Sequence, residues 1–599
     1  MRPLSIAGLK LTHDGAVAML RGNELECVVE LEKTDNNARY SHIVRLEQAT
    51  ELLTRGTVAV PDIDSWVVDG WFTQTRQPRD PDVEVSPAPH LITHAGGRKV
   101  KLPVAAYREL NNRSPLEGIS VTKPLPGISD SYRSHHHSTG HLASGYCTSP
   151  FAQREQAAAV VVWDGGVGPR LYVVDPASRT VRSLGPVLPL KGNAYVEVVS
   201  RFAPFRLPAN ADDGMFRKHQ LSAPGKAMAY AGLGAVNHDL LSDMSDIYYR
   251  LAQGTSFVQL PIILADEIEA AAHRLDVGGA DAIHTWQIFL GSLLENELAS
   301  RLARDGLISL PVVLTGGCAL NITWNSQLRD SGRFGDVWVP PFPNDSGSAL
   351  GAACAEMMRA GDRWILEWDV YRGPLLRAEQ VPAGVNVRPA ALQTVAELLH
   401  AGEPVMLMHG RAELGPRALG HRSILAPATS KSMQDLLNLI KRREPYRPVA
   451  PICLEERASE IFDPGGRDPF MIFQHDVRPS WKERIPAICH VDGTARLQTV
   501  SAEDEPVVHE LLRRYQRVSG IPVLCNTSAN YPGRGFFPSI ADALRWGGVR
   551  HVWSDGLLYT CASEHDALPE PPPNGSSASS VQVTAAAQGS RRVPAGAVR

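Results

Sequence analysis

Basic side chains are concentrated in one short stretch of the chain, amid glycines and prolines that fix backbone turns. The stretch from Gly410 to Leu425 reads GRAELGPRALGHRSIL, and a Lys-Arg-Arg-Glu run and an Arg-Pro pair follow it. A guanidinium group presents forked donors that match phosphate or carboxylate oxygens, and glycine allows close backbone approach. A solvated helix face would instead alternate lysine and glutamate at helical spacing. The pattern favours a local anion site over a simple basic surface. Its basic residues include Arg411, Arg417, Arg422, Lys441, Arg443 and Arg447.

Three later residues could complete such a site. Ser528 and Asn530 follow a predicted strand over Ile521–Leu524, and Arg496 lies in a segment that also contains Gly493. A hydroxyl and an amide can orient a nucleotide without adding charge. Arg496 is either a further anion ligand or an ordinary surface arginine.

Two histidines have the spacing of metal ligands. His137 and His141 are four residues apart, so on a helix they share one face and can converge on one ion. The alternative is a partly exposed helix face. The residue types permit manganese or zinc as well as iron.

Glycine-rich turns at strand ends recur along the first half of the chain. Asp14-Gly15 and Asp164-Gly165 each lie between two predicted strands, about 150 residues apart, which suggests two lobes of one ancestral fold. Such turns can bind phosphate through backbone N–H groups, although Asp-Gly pairs are also common in plain hairpins. A third turn, Gly316-Gly317 to Asn321, follows a buried strand, and apolar spacing predicts a helix over 281–303.

Composition excludes several classes of protein. The 599 residues include 60 lysines and arginines against 64 aspartates and glutamates, a net charge of −4, which does not favour a general nucleic-acid binder. The eight cysteines include no C-x-x-C pair, and no apolar run is long enough to span a membrane. We therefore expect a cytoplasmic enzyme without nucleic-acid or membrane partners.

Taken in order, these motifs resemble those of the O-carbamoyltransferases that modify antibiotics and nodulation factors, over about residues 1–563. Lys441 and Arg443 are similar to the K-x-R element of YrdC-like domains, and Ser528 and Asn530 to their S-x-N element. The resemblance implies an α/β protein: an N-terminal, two-lobed ASKHA-type (actin, sugar kinase, heat-shock chaperone) carbamoyl-transfer domain over 1–365 and a YrdC-like domain over 390–564. A connection over 366–389 joins them, and composition predicts a disordered tail over 565–599.

The resemblance also implies the reaction. ATP and carbamoyl phosphate would form a carbamoyl-adenylate, from which the carbamoyl group passes to a hydroxylated small molecule. Asp345 is similar to the family's third metal ligand beside His137 and His141; iron(II) is the ion by resemblance, and Mg²⁺ would accompany ATP. The predicted catalytic residues are His13, Lys441, Arg443, Arg447 and Arg496. The predicted substrate and nucleotide ligands are Asp14, Asp164, Gly165, Gly316, Gly317, Asn321, Arg417, Arg422, Ser528 and Asn530.

Several alternatives stay open at this point. The base at the acceptor is His13 or a carboxylate among Asp239, Asp243 and Asp246. The loop near Asp35–Tyr40 and the segment Tyr195–Phe216 are expected to line the acceptor pocket. Rival functions are a hydrogenase-maturation enzyme, a tRNA threonylcarbamoyl-type enzyme and a non-catalytic nucleotide-binding module of the ASKHA type. The acceptor and the oligomeric state are left open by the sequence.

Overall fold

The computed structural model describes residues 2–56, 62–71, 90–109, 114–208, 210–361 and 363–561, so the predicted tail over 565–599 lies outside the described residues. The first thirteen strands are β1 (Ser5–Lys10), β2 (Ala16–Arg21), β3 (Glu24–Glu30), β4 (Ser65–Asp69), β5 (His90–Ala95), β6 (Arg98–Pro103), β7 (Ile119–Val121), β8 (Tyr132–His135), β9 (Ala158–Val162), β10 (Arg170–Asp175), β11 (Thr180–Pro186), β12 (Val312–Thr315) and β13 (Val337–Trp338). The helices of the same half are α1 (Glu47–Gly56), α2 (His137–Cys147), α3 (Pro150–Gln153), α4 (Ala194–Val199), α5 (Asp213–Ala231), α6 (His238–Ala252), α7 (Leu260–Arg274), α8 (Gly279–Arg304), α9 (Ile322–Asp330) and α10 (Ser348–Ala360).

Two sheets in this half repeat one topology. The first has the strand order β3-β2-β1-β4-β8-β7 and the second β11-β10-β9-β12-β13. In each sheet an antiparallel meander of three strands is followed by strands that pair in parallel, β1 with β4 and β9 with β12. The predicted repeat of a strand–turn–strand unit is therefore confirmed, and both Asp-Gly turns connect equivalent strands.

Helices α2 and α10 pack against each other between the two lobes. All eleven residues of α2 are buried, because the helix contacts β9 and β12 of the second sheet as well as α10, which lies on β1 and β2. The two helix backbones touch at Gly140 and Gly351: a Cβ on Gly351 would lie 2.0 Å from the Gly140 carbonyl oxygen. This crossing fixes the elements that carry His137, His141 and, just before α10, Asp345.

The second half is built on one eight-stranded sheet, with the order β14-β24-β23-β15-β16-β22-β17-β21. Its strands, with those of a small neighbouring sheet, are β14 (Asn386–Pro389), β15 (Val405–Met408), β16 (Arg422–Pro427), β17 (Ala450–Leu454), β18 (Phe462–Asp463), β19 (His475–Val477), β20 (Thr494–Ala495), β21 (Gln498–Val500), β22 (Val523–Ser528), β23 (His551–Ser554) and β24 (Leu557–Thr560). Its helices are α11 (Leu392–His400), α12 (Lys431–Ile440), α13 (Ala458–Ile461), α14 (Pro479–Lys482), α15 (Pro506–Ser519) and α16 (Ile540–Trp546).

The apolar pattern of this half predicts a helix over 390–401, a strand over 404–408 and a helix over 433–441, which match α11, β15 and α12. Helix α12 places three apolar side chains on its buried side and ends where Lys441 begins the basic run. The fold is α/β throughout, as predicted, and within the described residues no helix combines the length and apolar character needed to cross a bilayer.

Candidate active sites

Four side chains with metal-binding atoms meet where the two lobes face each other. His137 and His141 lie on α2, Asp164 follows β9, and Asp345 begins the 3₁₀ turn before α10; one ligand atom of each lies within 4.8 Å of the others. We call these four residues the histidine–aspartate cluster. All are buried, with at most 8% of the residue exposed.

The spacing of three members fits a shared ion. Nε2 of His137 and Nε2 of His141 are 3.2 Å apart, and Oδ1 of Asp345 lies 3.3 and 3.4 Å from them. Ligands about 2.1 Å from one metal ion are separated by about 3.0 to 3.4 Å at octahedral to tetrahedral angles. The carboxylate oxygens of Asp164 lie farther out, at 3.8 and 3.9 Å from the two rings. The predicted trio therefore has the geometry of a metal site.

Surrounding groups set the charge of these ligands. Nδ1 of His137 is 2.7 Å from the Asp69 carboxylate, which orients Nε2 toward the other ligands. Burial alone lowers the pKa of His137, but Asp69 and Asp345 outweigh it and raise the pKa well above the usual value. For Asp345 the balance is the reverse: Lys10 and His137 overcome burial and hold the carboxyl pKa well below its usual range. The carboxylates therefore favour positive charge on His137, and Lys10 and His137 favour the ionised form of Asp345.

Two side chains beside the cluster were missed by the sequence analysis. Lys10 at the end of β1 contacts the carboxylates of Asp69 at 2.9 Å and Asp345 at 2.8 Å. The hydroxyl of Tyr107 donates a hydrogen bond to Asp164. One signal for this ion pair was available in the sequence: Lys10 ends the apolar strand β1 and Asp69 ends the apolar strand β4. Charged residues are rarely buried without a partner or a function.

His13 is the accessible residue next to the cluster. It follows β1, its Nδ1 is 2.8 Å from Asp14, and its Nε2 lies 3.5 Å from Asp345. Its side chain is 24% exposed, whereas that of Asp345 is 5% exposed. Asp345 and Asp14 overcome the effect of burial and raise the pKa of His13. The structure thus places the predicted base between the cluster and solvent.

The predicted phosphate-binding turns also converge on the cluster. The backbone N–H of Gly317 donates to Oδ1 of Asp164 at 2.7 Å, which joins the second and third turns. Gly316 has a φ of +91°, a conformation that favours glycine. Gly165 accepts the backbone N–H of Asn193. Asn321 caps α9 and pairs with Gln287, so its side chain already has protein partners.

A second site is a cavity at the junction of the two halves, which we call the arginine pocket. Five arginines line it together with Ser528 and residues of α5. These arginines are Arg39, Arg417, Arg443, Arg447 and Arg496. Four of them were predicted anion ligands, and the structure brings those four together.

Mutual repulsion shows that the pocket holds excess positive charge. Burial, then the neighbouring Arg447, Arg39 and Arg417, lower the pKa of Arg443 to about 9. Burial, then Arg417, Arg443 and Arg447, lower the pKa of Arg496 well below its usual range. An anion in the cavity would relieve this repulsion.

Lys441 lies beneath the pocket. Its ammonium nitrogen is within 2.7 Å of the Ser528 carbonyl and within 2.6 Å of both oxygens of Asn530. Three acceptors occupy its donors, so Lys441 holds the Ser528–Asn530 segment in place rather than pointing at the cavity.

Two predictions do not fit the arrangement. Arg422 is buried away from the cavity lining, and its guanidinium donates to the carbonyls of His409, His421 and Gly410, so it braces a turn. Asp239 and Asp246 are exposed on α6, and Asp243 pairs there with Arg274 at 2.6 Å. Helix α6 packs on α7 and α8, so these carboxylates are not among the groups around the cluster.

The first half of the chain supplies part of the pocket wall. Gly225, Met228 and Ala229 of α5 line the cavity. Lys226 forms an ion pair with Glu444 at 2.7 Å, and Tyr230 packs edge-on against Tyr446.

The structure thus has two α/β halves, with the histidine–aspartate cluster between the two lobes of the first half and the arginine pocket at its junction with the second. A model described as the carbamoyltransferase N-terminus matches residues 5–354, and one described as the carbamoyltransferase C-terminus matches residues 396–552. The chain belongs to the carbamoyltransferase family, and the resemblance found in the sequence is confirmed.

Curated relatives match nearly end to end. Nodulation protein U of Rhizobium tropici is 42% identical over 578 residues, covering 93% of this chain and 96% of that protein. The 3'-hydroxymethylcephem-O-carbamoyltransferase of Streptomyces clavuligerus is 32% identical over 557 residues, covering 91% and 96%. Full-length HypF in its phosphate- and nucleotide-bound form aligns with a TM-score of 0.31 and 11% identity, covering 60% of this chain and 56% of that chain, too low a score to support an argument.

Proposed function

We propose that the chain is an O-carbamoyltransferase that uses carbamoyl phosphate and ATP to carbamoylate a hydroxyl group of a natural product. The family assignment supports carbamoyl transfer, and one relative is named as an O-carbamoyltransferase of a hydroxymethylcephem. The observation that carries the donor chemistry is the arginine pocket, where five guanidinium groups share one cavity.

In this proposal the arginine pocket makes the activated donor. Carbamoyl phosphate is hydrolysed to carbamate and phosphate. A carbamate oxygen then attacks the α-phosphorus of ATP, the bond from that phosphorus to the bridging oxygen breaks, and pyrophosphate leaves. Arg417, Arg443 and Arg447 would offset the charge of the two phosphorylated substrates, which otherwise repel each other. Ser528 would contact the nucleotide, in a segment held by Lys441.

The transfer step belongs to the other domain. The acceptor hydroxyl attacks the carbamoyl carbon, the bond from that carbon to the adenylate oxygen breaks, and AMP leaves. His13 would receive the hydroxyl proton, since it is the partly exposed group beside the cluster. The glycine turns at Gly165 and Gly316 would lie along the AMP. A junction between the domains keeps the hydrolysis-prone adenylate out of bulk water.

His137, His141 and Asp345 would hold a divalent metal ion, with Asp164 behind them. Iron(II) is proposed on the family resemblance, and the donor set also suits manganese or zinc. When bound, the ion would supply positive charge for the phosphate of AMP. Mg²⁺ is proposed as the partner of ATP in the arginine pocket.

The test is nucleotide turnover that depends on carbamoyl phosphate. Purified protein with ATP and carbamoyl phosphate should release pyrophosphate and AMP, whereas Arg443→Ala should not. Arg478→Ala should behave as wild type, because the Arg478 side chain is 42% exposed and is not part of the pocket lining. A panel of hydroxylated natural products would then identify the acceptor. Turnover that ignores carbamoyl phosphate, or that survives in Arg443→Ala, would contradict the proposal.

A further inference from the structure

The arginine that sequence analysis missed comes from the other domain. Arg39 lies in the loop between the 3₁₀ turn at Leu31–Lys33 and α1, within the first sheet's half of the chain, yet it lines the arginine pocket of the second half. The sequence analysis predicted that this loop lines the acceptor pocket, but the structure places Arg39 in the lining of the arginine pocket.

The loop is anchored to the second domain at Asn37 and at Arg39 itself. The backbone N–H of Arg39 donates to the carbonyl of Gly533 at 3.0 Å, and the N–H of Gly535 donates to the carbonyl of Asn37 at 3.2 Å. A Cβ on Gly535 would lie 1.9 Å from the carbonyl oxygen of Glu32. The two chain segments are therefore in backbone contact, and the loop cannot swing out without breaking the domain junction.

The guanidinium of Arg39 has N–H groups that are available to a ligand. One terminal nitrogen donates to the Pro416 carbonyl at a long 3.4 Å, and its buried Nε has no hydrogen-bond partner in the described structure. A buried guanidinium nitrogen without an acceptor is unfavourable unless a ligand or water supplies one. Arg496, across the same cavity, also has a buried Nε without a partner.

Charge around Arg39 differs on its two sides. Toward the pocket it meets Arg417, Arg443 and Arg447, and it contributes to lowering the pKa of Arg417 and Arg443 after the effect of burial. Toward the first domain it meets Glu32 and Asp14, the neighbour of His13. Arg39 thus lies between the arginine pocket and the transfer site.

We propose that Arg39 is a direct ligand of the phosphorylated substrate in the arginine pocket, so that this site is assembled from both domains. The inference rests on the proposed function, because it takes the pocket as the site of carbamoyl phosphate and ATP. Arg39 binds phosphate oxygens through Nε and a terminal nitrogen, and it holds the anion on the side of the pocket that faces His13. The second domain alone forms an incomplete anion site.

The probe is inorganic pyrophosphate, with binding to the full-length chain measured by calorimetry at fixed salt and pH. Arg39→Gln should weaken binding about tenfold to hundredfold, the range for losing a charge-assisted hydrogen bond. Arg39→Lys should recover part of this loss, because it restores the charge but not the forked donors. Arg45→Ala is the matched control, since Arg45 is 52% exposed. Arg443→Ala reports on the pocket itself.

The outcomes separate the two ideas. Wild-type affinity in Arg39→Gln, together with loss in Arg443→Ala, would overturn the role of Arg39 and leave the proposed function standing. Wild-type affinity in both variants would overturn the pocket as an anion site, and the role of Arg39 with it. If Arg39→Gln does not fold, Arg39→Lys decides: reduced affinity with unchanged thermal unfolding supports direct contact, and unchanged affinity refutes it.

Discussion

Replacing Gly351 with alanine should break the packing that positions the histidine–aspartate cluster. The new Cβ would lie 2.0 Å from the carbonyl oxygen of Gly140, whereas real Cβ atoms essentially never approach closer than 3.0 Å. The carbonyl oxygen is a backbone atom, and the position of a Cβ is fixed by the backbone, so no change of rotamer can relieve the contact. Helices α2 and α10 must therefore separate by about 1 Å. Overpacking of this kind costs about 1 to 3 kcal/mol or more, against a gain of about 1 kcal/mol in helix propensity.

The same displacement should be visible in metal binding. His137 lies on α2 and Asp345 directly precedes α10, and their ligand atoms are now 3.3 Å apart. A separation of about 1 Å more exceeds what ligands of one ion allow. We expect Gly351→Ala to lower the free energy of unfolding in urea by about 2 kcal/mol and to reduce bound iron, manganese or zinc, measured by elemental analysis.

The matched control is Gly254→Ala, because a Cβ at Gly254 meets no atom within 4 Å. It should leave stability within about 0.5 kcal/mol of wild type and metal content unchanged. If Gly351→Ala has the stability and metal content of this control, the close crossing of α2 and α10 does not position the metal ligands.

Three further predictions follow from the sites and their charges. Arg443→Ala should slow carbamoyl-phosphate-dependent pyrophosphate release about tenfold or more. A rate that is unchanged at both saturating and low substrate concentrations would refute the role of Arg443. Asp345→Asn should weaken metal binding by at least about tenfold, checked by elemental analysis after dialysis, because it removes the charged ligand of the trio. Hydrogen bonds from Arg359 and His135 overcome burial and lower the pKa of Glu356 to about 2, below its ordinary 4.5. The contribution of the Glu356 carboxylate to stability is therefore present above pH 4.5 and lost as the pH falls toward 2. Glu356→Gln should flatten the acid side of a plot of unfolding free energy against pH, measured by urea unfolding. Equal slopes in both proteins would contradict this.

Local patterns in the sequence predicted most of the fold because each depends on near neighbours. The apolar spacing over 281–303 matches α8, and the Asp-Gly turns mark equivalent corners of the two repeated sheets. The histidine pair needed only helical spacing to share a face. Asp345 required the family resemblance, since the chain between residues 141 and 345 must fold before the carboxylate reaches the rings.

The errors arose where tertiary contacts decide which way a side chain points. Arg422 belongs to the same basic run as Arg417, but it begins the buried strand β16, where its guanidinium donates to the carbonyls of His409 and Gly410. Lys441 was predicted as a catalytic residue, yet its donors are used by the Ser528 carbonyl and Asn530. Arg39 lies in the loop that was expected to line the acceptor pocket, and its place in the arginine pocket depends on a contact with Gly533, far away in the chain.

The charges are unevenly distributed in a chain whose net charge is −4. Carboxylates are gathered at the histidine–aspartate cluster, where a metal ion would compensate them, and guanidinium groups are gathered at the domain junction. Arg39, with Glu32 and Asp14 on one side and Arg443 on the other, lies at the boundary between these opposite fields. An anionic adenylate formed among the arginines would meet the carboxylates of the cluster, which Lys10 offsets in part, and a cation bound there would attract it. Metal loading should therefore raise carbamoyl transfer to the acceptor more than it raises pyrophosphate release, and equal stimulation of both steps would show that the two sites are not electrostatically distinct.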